Sequence, residues 1–190
     1  GLVTSVADGS ATITATSGSA SATATVSVAQ VAATLSLSDS ALTFNSLADT
    51  TQLTATVTDA NGQVIDGATV TWTTSNDTVA TVSSTGLVTS VADGSATITA
   101  TSGSASATAA VSVAQVAAAV SLSDSTLTFA SLTDTTQLTA TVTDANGATI
   151  PSPSITWATS NDAVATVSST GLVTSVADGS ATITATSGSA

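Results

Sequence analysis

Twelve Asp are the only ionisable side chains in this chain, which has no Lys, Arg, His, Cys, Met, Tyr or Glu. The closest grouping is Asp59, Asn61 and Asp66 in "DANGQVIDG", a loop-like spacing of hard oxygen donors that suits calcium. Asp144 and Asn146 repeat the first two positions in "DANGATIPS", where Pro151 stands in place of the third carboxylate. A site that used all three ligands therefore could not recur. Asn-Gly is also a strong hairpin signal, and an Asp before it caps a turn without any metal. The same logic makes Asp77 in "SNDT" and Asp93 in "ADGS" turn formers. The expectation is no cofactor, with calcium at Asp59, Asn61, Asp66, Asp144 and Asn146 as the metal alternative.

Catalysis finds little support in this alphabet. Without His, Cys, Lys, Tyr or Glu there is no usual general base near neutrality and no activated Ser or Cys arrangement. Two Asp can serve acid chemistry, yet "ADTT" at 48–51 and "TDTT" at 133–136 lack the glycine of the aspartic-protease signature. The chain reads as a non-enzyme with no catalytic residues.

The formal net charge of -12 has no cation to offset it. Such a surface repels nucleic acid and anionic headgroups, because both kinds of binding rest on Lys and Arg. The longest nearly apolar run is "VAQVAAAV" at 113–120, far short of the eighteen or so residues of a membrane helix. Neither nucleic-acid binding nor direct membrane insertion is expected of this segment. It lacks an initiator Met and a basic-then-apolar leader, and reads as an internal piece of a longer polypeptide.

The elements that must position these residues come in tandem. "GLVTSVADGSATITATSGSA" begins at Gly1, Gly86 and Gly171, and residues 1–85 laid over 86–170 differ at fifteen positions. Such self-similarity means repeated copies of one folding unit. In "TTQLTATVTDA", Leu53, Ala55 and Val57 alternate with Thr54, Thr56 and Thr58, the two-residue period of a strand with one face on a core. "GATVTWTTSN" alternates likewise, with Val70 and Trp72 on one side. So do "SATITATSG" around Ile13 and "SATATVSVA", where Ala22, Ala24, Val26 and Val28 share a face. Turn signals separate these runs at Asp59–Gly62, Ser75–Asp77, Ser84–Gly86, Ala92–Gly94 and Ser102–Ser104. Short strands with a turn about every ten residues predict an all-β sandwich or barrel, and no segment has a convincing helical period. The large core fillers are one Phe and one Trp per copy, Phe44 and Trp72, then Phe129 and Trp157.

The succession "TTQLTATVTDANG", "TWTTSND", "VATVSSTGLVT" and "GSATITATSG" strongly resembles the bacterial Ig-like domain, group 2, found in intimin and invasin-type surface proteins. The likeness covers nearly the whole chain, and the second copy repeats it from Trp157. It implies tandem Ig-like β-sandwiches of about seven strands each, without the inter-sheet disulfide and with Trp72 on a central core strand. It also sets a frame, in which 1–30 are the closing strands of a preceding domain and 31–115 form a complete domain. Residues 116–190 then form a domain lacking its last strand.

The function this implies is a non-enzymatic stalk or fibre spacer in a long bacterial cell-surface or secreted protein, with an extracellular location. The alternatives are a carbohydrate- or receptor-binding module, including phage tail or virion decoration, and a filament that self-assembles by strand complementation. Expected partners are the neighbouring repeats of the same chain and, in the filament reading, other copies head to tail, with residues 21–28 completing the back of another copy.

Overall fold

A computed structural model describes residues 1–188, and all of its regular structure is β. The first strands are β1 (Gly9–Ser17) and β2 (Ala20–Val28), a hairpin paired antiparallel along its length and turning at Gly18. The unit that follows contains β3 (Thr34–Leu37), β4 (Ala41–Phe44), β5 (Thr50–Gln52), β6 (Ala55–Thr58) and β7 (Thr71–Thr74). It continues with β8 (Ala80–Val82), β9 (Leu87–Ser90), β10 (Gly94–Ser102) and β11 (Ala105–Val113). One sheet has the order β4-β11-β10-β7, and the other strands pair as β3-β6 and β5-β9-β8.

Nine strand segments are thus seven sequence runs, because β3 with β4 and β5 with β6 are each one run broken by a change of sheet. The alternation through Leu53 is the clearest case. Thr50–Gln52 pair with Leu87–Thr89, whereas Ala55–Thr58 pair with Thr34–Leu37. The break falls at Leu53, which is fully buried and donates its amide to Gly86 O at 3.0 Å. A two-residue period is blind to such a switch, since Leu53 points inward whichever sheet it serves.

Two apolar clusters fill the sandwich. The larger one joins Leu42, Phe44, Leu53, Val88, Ile98 and Val111, and the smaller one joins Leu35, Val57, Ala100 and Ala105. Trp72 packs against both and is half-buried. The resemblance implied a central strand for it, but β7 lies at the edge of the four-stranded sheet. Its neighbour there is β10, with Trp72 opposite Ala100.

The last unit repeats the plan with β12 (Ala119–Leu122), β13 (Thr135–Gln137), β14 (Ala140–Thr143), β15 (Thr156–Thr159), β16 (Ala165–Val167), β17 (Leu172–Ser175) and β18 (Ile183–Thr186). Pairings β12-β14, β13-β17-β16 and β15-β18 match those of the first unit. Among the described residues nothing takes the place of β11. Residues 126–129, whose counterparts form β4 against β11, accordingly carry no ladder. Phe129 and Ile183 are half-buried there, while Phe44 is 4% exposed and Ile98 is fully buried.

Candidate functional site

The five calcium candidates fall into two loops that the fold treats differently. Asp59 caps its own turn, with Oδ1 accepting the amides of Asn61 and Gln63 at 2.9 Å each. Its Oδ2 accepts Gln30 Nε2 at 3.2 Å. These donors, the Gln63 amide foremost and Gln30 next, hold the carboxyl below the ordinary aspartate value. Asp66 is exposed and is not brought to Asp59 by any hydrogen bond of its side chain in the described structure. Among the described residues no three acidic side chains converge as a metal would require.

Asp144 occupies the matching place in the second loop, and there the loop meets the unit before it. Its Oδ1 accepts the amides of Asn146 at 3.0 Å and Ala148 at 2.9 Å. Its Oδ2 reaches the other unit, accepting Leu47 N at 2.8 Å and, from the connector, Gln115 Nε2 at 2.9 Å. Asn146 Nδ2 donates to Leu47 O and to Asp49 Oδ1, both at 2.8 Å. Asp144 is 2% exposed. Burial acts to raise its carboxyl pKa, but the donors Gln115, Leu47, Ala148 and Asn146 together outweigh it and leave the group below its ordinary value. What sequence spacing offered as metal ligands is therefore a carboxylate saturated with N–H donors.

The surroundings of this joint are equally ordered. The connector donates Ala114 N to Phe44 O at 3.0 Å and Val116 N to Asn45 O at 2.9 Å. Asp93 Oδ1 accepts Gln115 N at 2.8 Å, so the side chain read as a turn former holds the connector. Asp8 does the same for Gln30 at 2.8 Å. The tip on the preceding unit is set by Ser90, whose hydroxyl donates to Ser46 O at 2.8 Å and accepts Asp49 N at 3.0 Å. Nothing in the sequence marked Leu47, Gln115 or Ser90. The only sign was that Gln115 and Gln30 occur at one position in every connector, a polar residue in an otherwise apolar stretch.

Two concavities lie away from this joint. A shallow depression beside Trp72 is lined by Gln52, Thr54, Ser84 and Thr85. The Gln52 amide is already given to Leu53 O and Thr85 O, both at 2.7 Å. The larger is a cleft of about 660 Å³ in the last unit, walled by Leu127, Phe129, Leu138, Val173 and Ile183. It occupies the place that Ala109, Val111 and Val113 of β11 fill in the first unit.

Two sandwiches of one design, joined end to end through a turn and a zipped connector, define a tandem Ig-like array. The sequence matches the bacterial Ig-like domain (group 2) over residues 31–113 and 116–190, and the chain belongs to that family. No curated sequence matches it. Among solved structures, domains 1-6 of the surface layer protein SbsC are similar at 22% identity and a TM-score of 0.41, covering 91% of this chain and 29% of that one. SbsC domains 5-6 give 19% identity and a TM-score of 0.41, covering 83% and 91%. The Escherichia coli adhesin FdeC gives 20% identity and a TM-score of 0.38, covering 90% and 60%. The chain thus spans less than a third of the SbsC domains 1-6 structure. No helix is long and apolar enough to cross a membrane among the described residues.

Proposed function

We propose that this chain is a spacer segment of a bacterial surface or secreted protein, in which Ig-like units in series carry an adhesive part away from the cell. The observation that carries the reading is the joint: consecutive units are tied by backbone bonds of the connector and by four side-chain contacts across it. A flexible tether would have a solvated linker instead. With strands rising ~3.3 Å per residue, one unit adds roughly 35 Å of length. Near-identity of the units suits this role, because length needs the same unit many times and no distinctive site. Small-angle scattering in solution is the test. An extended, stiff particle supports the reading, whereas a broad ensemble of inter-unit angles, or binding to a carbohydrate array, overturns it.

A second reading is favoured by the cleft. Residues 20–28, "ASATATVSV", differ from β11, "ASATAAVSV", at one position, and in the β1-β2 hairpin Ala20, Ala22 and Ala24 lie open to solvent while Val26 and Val28 are half-buried. Ile13 of that hairpin is 43% exposed, against complete burial of Ile98. A strand like β2 from a second copy would fill the cleft after exchanging β1 for β18, and continuation of the same chain would fill it equally. Mass that rises with concentration in light scattering supports association between copies, and a strict monomer overturns it.

A further inference from the structure

We infer that the Ser46–Asp49 tip is a docking surface for the Asp-Ala-Asn-Gly loop of the following unit, and that this contact locks the angle between consecutive units. The inference rests on the spacer reading and adds the device that gives it stiffness.

The acceptor half is built before anything docks. In the first unit Ala48 N donates to Ser90 O at 3.0 Å and Ser90 N donates to Asp49 O at 2.9 Å, with the Ser90 hydroxyl closing the turn. The last unit has the same turn with no loop seated on it. Thr133 N donates to Ser175 O and Ser175 N to Asp134 O, both at 3.0 Å, and Ser175 Oγ donates to Ser131 O at 2.8 Å. Ala48 and Thr133 share the same left-handed backbone, at φ 62° and 66°. The tip is therefore a property of the unit and not a product of docking. Leu47 is half-buried, packed against the cluster that holds Val111 and Val113 of β11, whereas its counterpart Leu132 lines the cleft of the last unit and is 56% exposed. Docking changes the partner of the tip's carboxylate. Asp49 Oδ1 accepts Asn146 Nδ2, whereas its exposed counterpart Asp134 accepts Ser131 N of its own turn at 3.1 Å.

The plug half is likewise preformed, because the Asp59 loop closes through the same Asx turn as the Asp144 loop although residues 1–30 contain no counterpart of the tip. Two preformed halves meet with little ordering cost, which is what makes a small polar contact stiff. Each is polar and satisfied by the other: an amide and a carbonyl at Leu47 against a carboxylate and an amide on the loop. The partner class is thus another unit of the same repeat, in a head-to-tail contact that does not close on itself. The third side of the joint is Gln115, which ties Asp144 to the connector and forbids the loop from pivoting about Leu47.

The absence of cysteine makes a direct measurement simple. Spin labels are placed on Thr81→Cys and Thr166→Cys, matching exposed positions of β8 and β16, and the distance distribution is read by pulsed electron resonance. The parent chain is expected to give one narrow distance. Asn146→Ala deletes two hydrogen bonds of the joint and Asp49→Ala, in the opposite unit, deletes one of these, and each is expected to broaden the distribution at least twofold while thermal melting stays within a few degrees. Asn61→Ala, in the undocked loop, leaves the width unchanged. Narrow distributions in both joint variants would overturn the lock and leave the spacer reading standing. A broad distribution in the parent chain would overturn both.

Discussion

A Cβ atom added to Gly86 would sit 2.8 Å from Cζ2 of Trp72 and 2.5 Å from the carbonyl oxygen of Leu53. Gly171 stands in the same relation to Trp157 and Leu138, at 2.7 and 2.5 Å. The glycine is fixed twice over, by its φ of 87° and by a ring and a backbone oxygen that leave no room for a side chain. The Trp therefore packs on backbone as well as on the two apolar clusters.

Gly86→Ala should destabilise the first unit by about 2–4 kcal/mol, combining left-handed strain with a backbone clash that no rotamer can relieve. Gly62→Ala, at φ 79° with open space around it, carries the strain alone and should cost about 1 kcal/mol. Urea denaturation read by the fluorescence of Trp72, in a chain where Trp157 is replaced by Phe, separates the two. Equal midpoints for both variants would refute the role given to the ring.

Trp72→Ala should cost its unit ~3–5 kcal/mol, much of the stability of a small domain. Half-burial does not reduce this much, since the ring and Leu37 are the two side chains that pack against both clusters. Loss of about half of the cooperative far-ultraviolet transition, with Trp157 fluorescence still reporting a folded last unit, is the expected result. An unchanged denaturation midpoint for the first unit would refute it.

The cleft of the last unit predicts complementation by a peptide. A synthetic strand of sequence ASATAAVSV should place its two valines against the cluster of Phe129 and Ile183, as Val111 and Val113 join that of Phe44 and Ile98 in the first unit. At ten times its dissociation constant it should stabilise the last unit by about 1.4 kcal/mol. A peptide with Asp in place of the first valine should not, because it would bury an unpaired carboxylate. Calorimetric melting with either peptide is the check, and equal shifts for both would refute a specific strand site.

Much of this was legible in the sequence, and the reasons it stops are physical. The alternation around Leu53, Val57 and Ile98 fixed an all-β fold, and the 85-residue period fixed its repetition. Alternation names the inward face of a strand but not the sheet it joins, so the switch at Leu53 and the edge position of Trp72 were not readable. Nor does one sequence imply one burial: Ile13, Ile98 and Ile183 have identical neighbours on both sides for at least seven residues, yet they are exposed, buried and half-buried according to which strands lie beside them. The role of the Asp144 loop at the joint was hidden for a related reason. Spacing shows which oxygens come close in one loop, whereas one of the donors that Asp144 accepts, Leu47 N, arrives from the other unit, 97 residues away.

Acid should open the joint. Asp144 has a folded-state pKa below its unfolded value, so its contribution to the stability of the folded chain is fully present above the ordinary aspartate range and is lost as pH falls through the depressed folded value; the Leu47 and Gln115 donors are the part of this that crosses the joint. Protonation converts Oδ2 from an acceptor of two N–H donors into a group that can keep at most one of them, leaving Leu47 N or Gln115 Nε2 without a partner. The acidic groups near it are Asp49, which shares Asn146, and Asp93, which holds Gln115. Neither is a cation, so no counter-charge opposes protonation. Among the described residues no other aspartate is buried, so the sandwich cores should outlast the joint. Between neutral pH and the bottom of the aspartate range, the distance distribution between labels at residues 81 and 166 should broaden while far-ultraviolet ellipticity holds steady. Asp144→Asn should broaden it at neutral pH and remove most of the pH response. A distribution that stays narrow until the strands themselves melt would show that the carboxylate is not what fixes the angle.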